Sequence, residues 1–92
     1  MLASAEKSGT CGEKLTWTYE ETTKTLTISG SGEMTDYYPD APWSKFGIQT
    51  AVIESGVTSI GSSAFYNSSG LTTVTIGNSV TNIGNNAFSY CI

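Results

Sequence analysis

Two stretches near the end of the chain carry almost the same sequence. Val57-Thr58-Ser59-Ile60-Gly61-Ser62-Ser63-Ala64-Phe65 returns 23 residues later as Val80-Thr81-Asn82-Ile83-Gly84-Asn85-Asn86-Ala87-Phe88. The same offset relates Ile48, Ala51 and Ile53 to Leu71, Val74 and Ile76, so the repetition begins near Ile48. A period in this range marks a solenoid, in which each coil covers the apolar side of its neighbour. One coil holds too few apolar side chains to offset the entropy of ordering it, so stacking is a condition of folding.

Each repeat reads as a strand at Thr73 to Ile76, a turn at Gly77-Asn78-Ser79 and a second extended piece at Val80 to Ile83. Gly84 is expected to allow a backbone reversal, and a tight helical turn to follow over Asn85 to Phe88. The expected repeat core is Ile53, Val57, Ile60, Ala64, Phe65, Leu71, Val74, Ile76, Val80, Ile83, Ala87 and Phe88.

The chain before the repeats reads differently. Residues 1–10 lack apolar periodicity and are expected to be disordered, either a leader or a cloning remnant. Ala3-Ser4-Ala5 has the small-x-small form that precedes signal cleavage. From Leu15 the pattern alternates, with Leu15, Trp17 and Tyr19 on one face and Thr16 and Thr18 on the other. Past a polar stretch it resumes, with Leu26 and Ile28 inward and Thr25, Thr27 and Ser29 outward. This is a β-hairpin, and Gly30-Ser31-Gly32 ends it. Residues 33–47 are an irregular connection, with Pro42 placed to open a short helical turn to Phe46. The expected organisation is a cap and connecting loop over 11–47 and repeats over 48–92. The fold class is mainly β with short helical turns, an N-terminal hairpin capping a truncated solenoid.

The chain has 92 residues, enough for one domain with a modest core. Charged residues are only 13%, the net charge is −4, and neither Arg nor His occurs. That composition lacks the basic footprint of a nucleic-acid binder and disfavours docking on anionic membranes. Direct membrane insertion is not expected either, because no apolar run reaches the length of a span. Without histidine the usual general base, triad member and metal ligand is missing. The carboxylates fall mostly in turns or in the flexible start, so no converging acid–base pair is expected and neither is catalysis. Glu33, Asp36 and Asp40 form the densest acidic group, but their spacing matches no calcium loop. Gly30-Ser31-Gly32 is no phosphate loop, and Asn67-Ser68-Ser69 is a glycosylation sequon. No metal or cofactor is implied.

Cys11 precedes the first coil and Cys91 lies in the last. Coils about 4.8 Å apart put several layers between them, beyond the roughly 7 Å Cα separation a disulfide tolerates. Two free thiols are expected. The candidate ligand-binding residues are the aromatic group Tyr37, Tyr38 and Trp43, whose polar tips suit stacking or a binding hot spot. For Trp43 the competing reading is a plug in the solenoid core, beneath the hairpin.

Leu71-x-x-Val74-x-Ile76 followed by Ser79-Val80-Thr81-x-Ile83-Gly84-x-x-Ala87-Phe88-x-x-Cys91 resembles the repeat of the BspA-type leucine-rich-repeat surface proteins. The first copy departs at Ser68, where the family often has the cysteine seen at Cys91, and Gly77 stands where proline is frequent. Cys11-Gly12-x-x-Leu15-x-Trp17 through Leu26-Thr27-Ile28-Ser29-Gly30-x-Gly32-x-Met34, with Pro42-Trp43, is similar to the stretch preceding the first repeat in such proteins. The resemblance implies an exported, surface-attached and often modular protein, with repeats used for adhesion and no catalytic residue.

The expected function is therefore a non-catalytic, extracellular, cell-surface module that recognises a protein or glycan on a host or neighbouring cell. The repeat strands would form a rigid face. The rival readings are a structural cap and spacer, or an accessory module of a secreted hydrolase. Tyr90-Cys91-Ile92 stops part-way through a repeat, as expected of a piece of a longer protein. An open last coil predicts fraying after about Asn78, or an edge-to-edge homodimer.

Overall fold

The computed structural model describes residues 6–37 and 41–89. Among them no helix forms, and eight strands make two sheets. The larger sheet has the order β1 (Glu6–Gly12), β2 (Leu15–Glu20), β3 (Thr25–Gly30), β5 (Thr50–Ile53), β7 (Thr73–Ile76). The smaller one runs β4 (Gly32–Glu33), β6 (Val57–Ile60), β8 (Asn82–Ile83). The first three strands pair antiparallel, whereas β3–β5–β7 and β4–β6–β8 are parallel ladders. A chain that winds around one axis passes each wall in the same direction on every coil, which makes its ladders parallel.

The predicted hairpin is β2–β3, with Trp17 opposite Ile28 and Tyr19 opposite Leu26. Leu15, Trp17, Tyr19, Leu26 and Ile28 are all buried. β3 has a second role that the hairpin pattern does not announce. It pairs in parallel with β5, Leu26 beside Ala51 and Ile28 beside Ile53. It is thus the first rung of the stack as well as the last strand of the antiparallel meander.

Disorder across residues 1–10 is corrected for residues 6–10, which belong to β1 and pair with β2; residues 1–5 lie outside the described residues. β1 shows no apolar period because of what fills the space beneath it. Gly9 lies opposite Trp17, and a Cβ there would come within 2.8 Å of the Trp17 indole nitrogen. The Trp17 ring takes the place that a side chain from β1 would otherwise occupy.

The expected helical turns are also corrected. Ala64 N–H bonds to Gly61 C=O, Tyr66 to Ser63 and Ser68 to Phe65, three overlapping four-residue turns. Positive φ at Ser63 (58°), Asn67 (59°) and Asn86 (60°) interrupts any helical run. The turns leave alternate N–H groups free for the next coil. Ser63, Phe65 and Asn67 donate to the carbonyls of Asn85, Ala87 and Ser89. A helix would have consumed those donors internally. Ala41 to Phe46 closes in the same way, with Ser44 N–H on Ala41 C=O and Phe46 N–H on Trp43 C=O.

Ile53, Val57, Ile60, Ala64, Phe65, Leu71 and Ala87 are buried, while Val74, Val80 and Phe88 are partly buried against the core. Ile76 and Ile83 are the correction, at 43% and 54% exposed. Each sits in register over a buried residue of the preceding coil, Ile53 and Ile60. No described element packs over their other side.

Candidate interaction surface

The aromatic candidates separate on inspection. Trp43 is fully buried and is not a binding residue. Its indole N–H donates to the Ala64 carbonyl at 2.9 Å. Its ring lies 5.7 Å from Trp17, 5.8 Å from Phe65 and 5.6 Å from Tyr37, all in edge or tilted geometries. Phe65 then stacks on Phe88 at 5.3 Å. Trp17, Trp43, Phe65 and Phe88 form a column of rings through the coils. Tyr37 is half-buried with its edge against Trp43, and Tyr38 lies outside the described residues. Trp43 and Tyr37 do not form an open platform.

Tyr37 and Cys11 instead lie close enough under the cap to influence each other's protonation. Burial pushes the Cys11 thiol up from 9.0 to about 11. The Tyr37 hydroxyl rises from 10.0 to about 12, through burial first and the neighbouring Cys11 second, against a Thr35 hydrogen bond that lowers it. Both groups are held neutral. Cys11 is a free thiol, while Cys91 lies outside the described residues. Because the folded state holds these protons more tightly, the contribution of Cys11 to stability is complete below about pH 9 and lost as pH rises through about 11, and that of Tyr37 is complete below about pH 10 and lost as pH rises through about 12. The urea midpoint should fall over that interval, and Cys11→Ala should remove the first part of the fall. Native Cys11 should also resist iodoacetamide below pH 9, since the thiolate is the nucleophile.

The acidic group has a structural use at one member. Asp36 accepts the Ser62 N–H through Oδ1 at 2.8 Å, tying the connection 33–37 to the second coil. Asp40 lies outside the described residues. Among the described residues no three His, Cys, Asp or Glu side chains gather as metal ligands. A groove of about 630 Å³ runs past Glu13, Lys14, Ser31, Glu33 and Thr58.

The broadest ordered surface is the outer face of the five-stranded sheet. Alternation sends every second side chain outward, and here most of those are hydroxyls. One row crosses all five strands, Ser8–Thr18–Thr27–Val52–Thr75. Beside it run Glu20–Thr25–Thr50–Thr73 and Thr10–Thr16–Ser29. Thr16 and Ser29 hydroxyls lie 3.4 Å apart. Thr16, Thr18, Thr73 and Thr75 are exposed, and Thr25, Thr27, Thr50 and Val52 are intermediate. Hydroxyls in neighbouring strands therefore recur at about 4.8 Å. Each can donate and accept, and β-branching leaves little rotamer freedom to lose on binding. The hairpin pattern already assigns Thr16, Thr18, Thr25, Thr27 and Ser29 outward. Ser8 and Thr10 were hidden by the missing period of β1, although their alternation with Gly9 and Cys11 is a signal in retrospect.

No helix among the described residues is long and apolar enough to cross a membrane. Among curated proteins, none matches the chain in sequence. A crystal structure of a leucine-rich repeat protein from Eubacterium ventriosum superposes with a TM-score of 0.86 at 33% identity. The match covers 95% of this chain and 24% of that one, so the chain spans about a quarter of that protein's length. The family model described as a BspA type leucine rich repeat region (6 copies) matches residues 19–92, starting within β2 and before the obvious repeats. Leucine-rich-repeat modules of this kind generally serve protein interaction and recognition rather than catalysis. With its parallel ladders, its stacked coils and a match over most of its length, the chain belongs to the BspA-type leucine-rich-repeat family.

Proposed function

We propose that this chain is a non-catalytic recognition module of the cell exterior, binding a protein or glycan of a host or neighbouring cell through the outer face of its five-stranded sheet. The observation that carries this reading is the set of hydroxyl rows on a rigid backbone, with Ser8, Thr18, Thr27 and Thr75 in one line. Such a surface offers many preorganised donors and acceptors and little charge. It suits polar ligands bound by geometry rather than by electrostatic steering.

The test is an array of glycans and extracellular-matrix proteins, followed by titration of any hit. Thr18→Lys places a long charged side chain in the central row at an exposed position and is expected to weaken saturable binding at least tenfold. Lys45→Ala, in the turn after Trp43, should leave it unchanged. Binding that survives Thr18→Lys but is lost in Tyr37→Ala would return the site to the aromatic loop. Absence of any saturable ligand would favour a cap or spacer.

A further inference from the structure

The hydroxyls on the outer face form a lattice, and its spacing discriminates among ligands. Ser8, Thr18 and Thr27 lie in one line across β1, β2 and β3, and Thr10, Thr16 and Ser29 in the next. Within a line the step is the strand spacing of about 4.8 Å, and between lines, two residues along each strand, it is about 6.7 Å. Thr25 and Thr50 carry the pattern onto β5.

The two lines hold no charged residue. Glu20, at the margin of the face, accepts the Thr22 N–H at 3.2 Å. Lys7 pairs in register with inward-facing Tyr19, and its ammonium lies 5.8 Å from the centre of the Phe46 ring. An acidic or basic polymer needs opposite charges along its track, and a neutral one does not.

A ligand that makes the same contact on every strand must itself repeat at the strand spacing. An extended peptide laid across the strands does not, because its side chains on one face recur at about 6.7 Å. Laid along them it would match, but β2 offers only two hydroxyls in that direction, Thr16 and Thr18. A ribbon of sugar rings joined by equatorial bonds advances by close to the strand spacing at each ring. Its hydroxyls donate and accept, as those of Ser and Thr do.

We infer that the ligand is a neutral, straight glycan lying across the strands, one ring over each, with the Thr18 and Thr27 hydroxyls bonding consecutive sugars. This rests on the outer face being the recognition surface. Trp17 and Tyr19 are buried on the inner side, so β2 gives the sugars no stacking platform. Each ring is held by hydrogen bonds, and affinity accumulates with the number of rings engaged.

The test is NMR titration of the 92-residue chain with cello-, xylo- and chitohexaose and with their disaccharides. At least one hexaose should bind ten times more tightly than its disaccharide. Maltohexaose, whose axial bonds coil the chain, should bind at least tenfold more weakly than that hexaose. Thr18→Val combined with Thr27→Val keeps the β-branched shape and removes two hydroxyls, and should weaken hexaose binding at least tenfold. Thr18→Ser with Thr27→Ser should retain most of it. Silence from all three hexaoses, or equal binding of maltohexaose, would overturn the inference. A protein ligand lost in Thr18→Lys while the hexaoses stay silent would overturn it and spare the outer-face reading. Hexaose binding unmoved by the valine pair and by Thr18→Lys would sink both.

Discussion

Trp43→Ala is expected to bring the whole chain to the edge of unfolding. Trp43 touches the cap and the repeats together, meeting Trp17 and Tyr37 on one side and Phe65 on the other. Truncating a buried aromatic to alanine costs about 3–5 kcal/mol. Removing the indole also deprives the Ala64 carbonyl of its buried donor, at roughly 1–3 kcal/mol. Domains of this size have about 5–15 kcal/mol in total. Urea denaturation should show a midpoint near zero or no cooperative transition. Trp43→Phe keeps a ring and loses the hydrogen bond, so its midpoint should fall between those of the alanine variant and the wild type. A Trp43→Ala midpoint within experimental error of the wild type would show that the ring column does not hold the coils together.

Gly61→Ala is the second large effect, and it arises from a different cause. A Cβ on Gly61 would lie 1.9 Å from the Thr35 carbonyl oxygen and 2.8 Å from its carbon, both backbone atoms. No rotamer change relieves that contact; the coil carrying Thr35 must move away. Forcing extra volume into packed structure costs about 1–3 kcal/mol and sometimes more, and a backbone contact this close belongs at the upper end. Gly70→Ala is the control, since its nearest neighbours, the carbonyl oxygens of Ile48 and Gly47, lie at an ordinary 3.5 and 3.9 Å. Both substitutions restrict the unfolded chain alike, so the difference between their midpoints reports the folded-state clash. Equal stability for the two variants would refute the close approach of the coils at Thr35.

The glycine at this position is legible in the sequence, because Gly61 returns as Gly84, but the reason expected for it was different. Neither residue adopts a positive φ; the left-handed positions are Ser63 and Asn86, two residues later. Gly84 instead approaches the Ser62 backbone, where a Cβ would come within 2.5 Å of the amide nitrogen. What repeats is a shortage of space between coils. Periodicity reveals that a residue recurs and cannot distinguish a bend from a tight contact.

The same limit explains the missed first rung. β3 pairs with β5 at an offset of 25 residues rather than 23, and its coil carries Met34 and Trp43 where later coils carry smaller or different groups. Self-comparison therefore stops at Ile48, although the walls continue. Met34 is buried, and its sulfur accepts the Gly61 N–H at 3.3 Å. Strand faces and most of the core could be read from alternation. The interaction surface could be read only where alternation was visible, over β2 and β3. Its β1 part was concealed because Trp17 fills the space that β1 leaves beneath Gly9.

Since β3 is hydrogen-bonded to β2 on one flank and to β5 on the other, no seam divides the cap from the coils among the described residues. Leu26 and Ile28 belong equally to both halves, and prising either half away would strip a face from the same two side chains. Cap and array are therefore expected to melt in a single cooperative step, with damage at one extremity transmitted through β3 to the other.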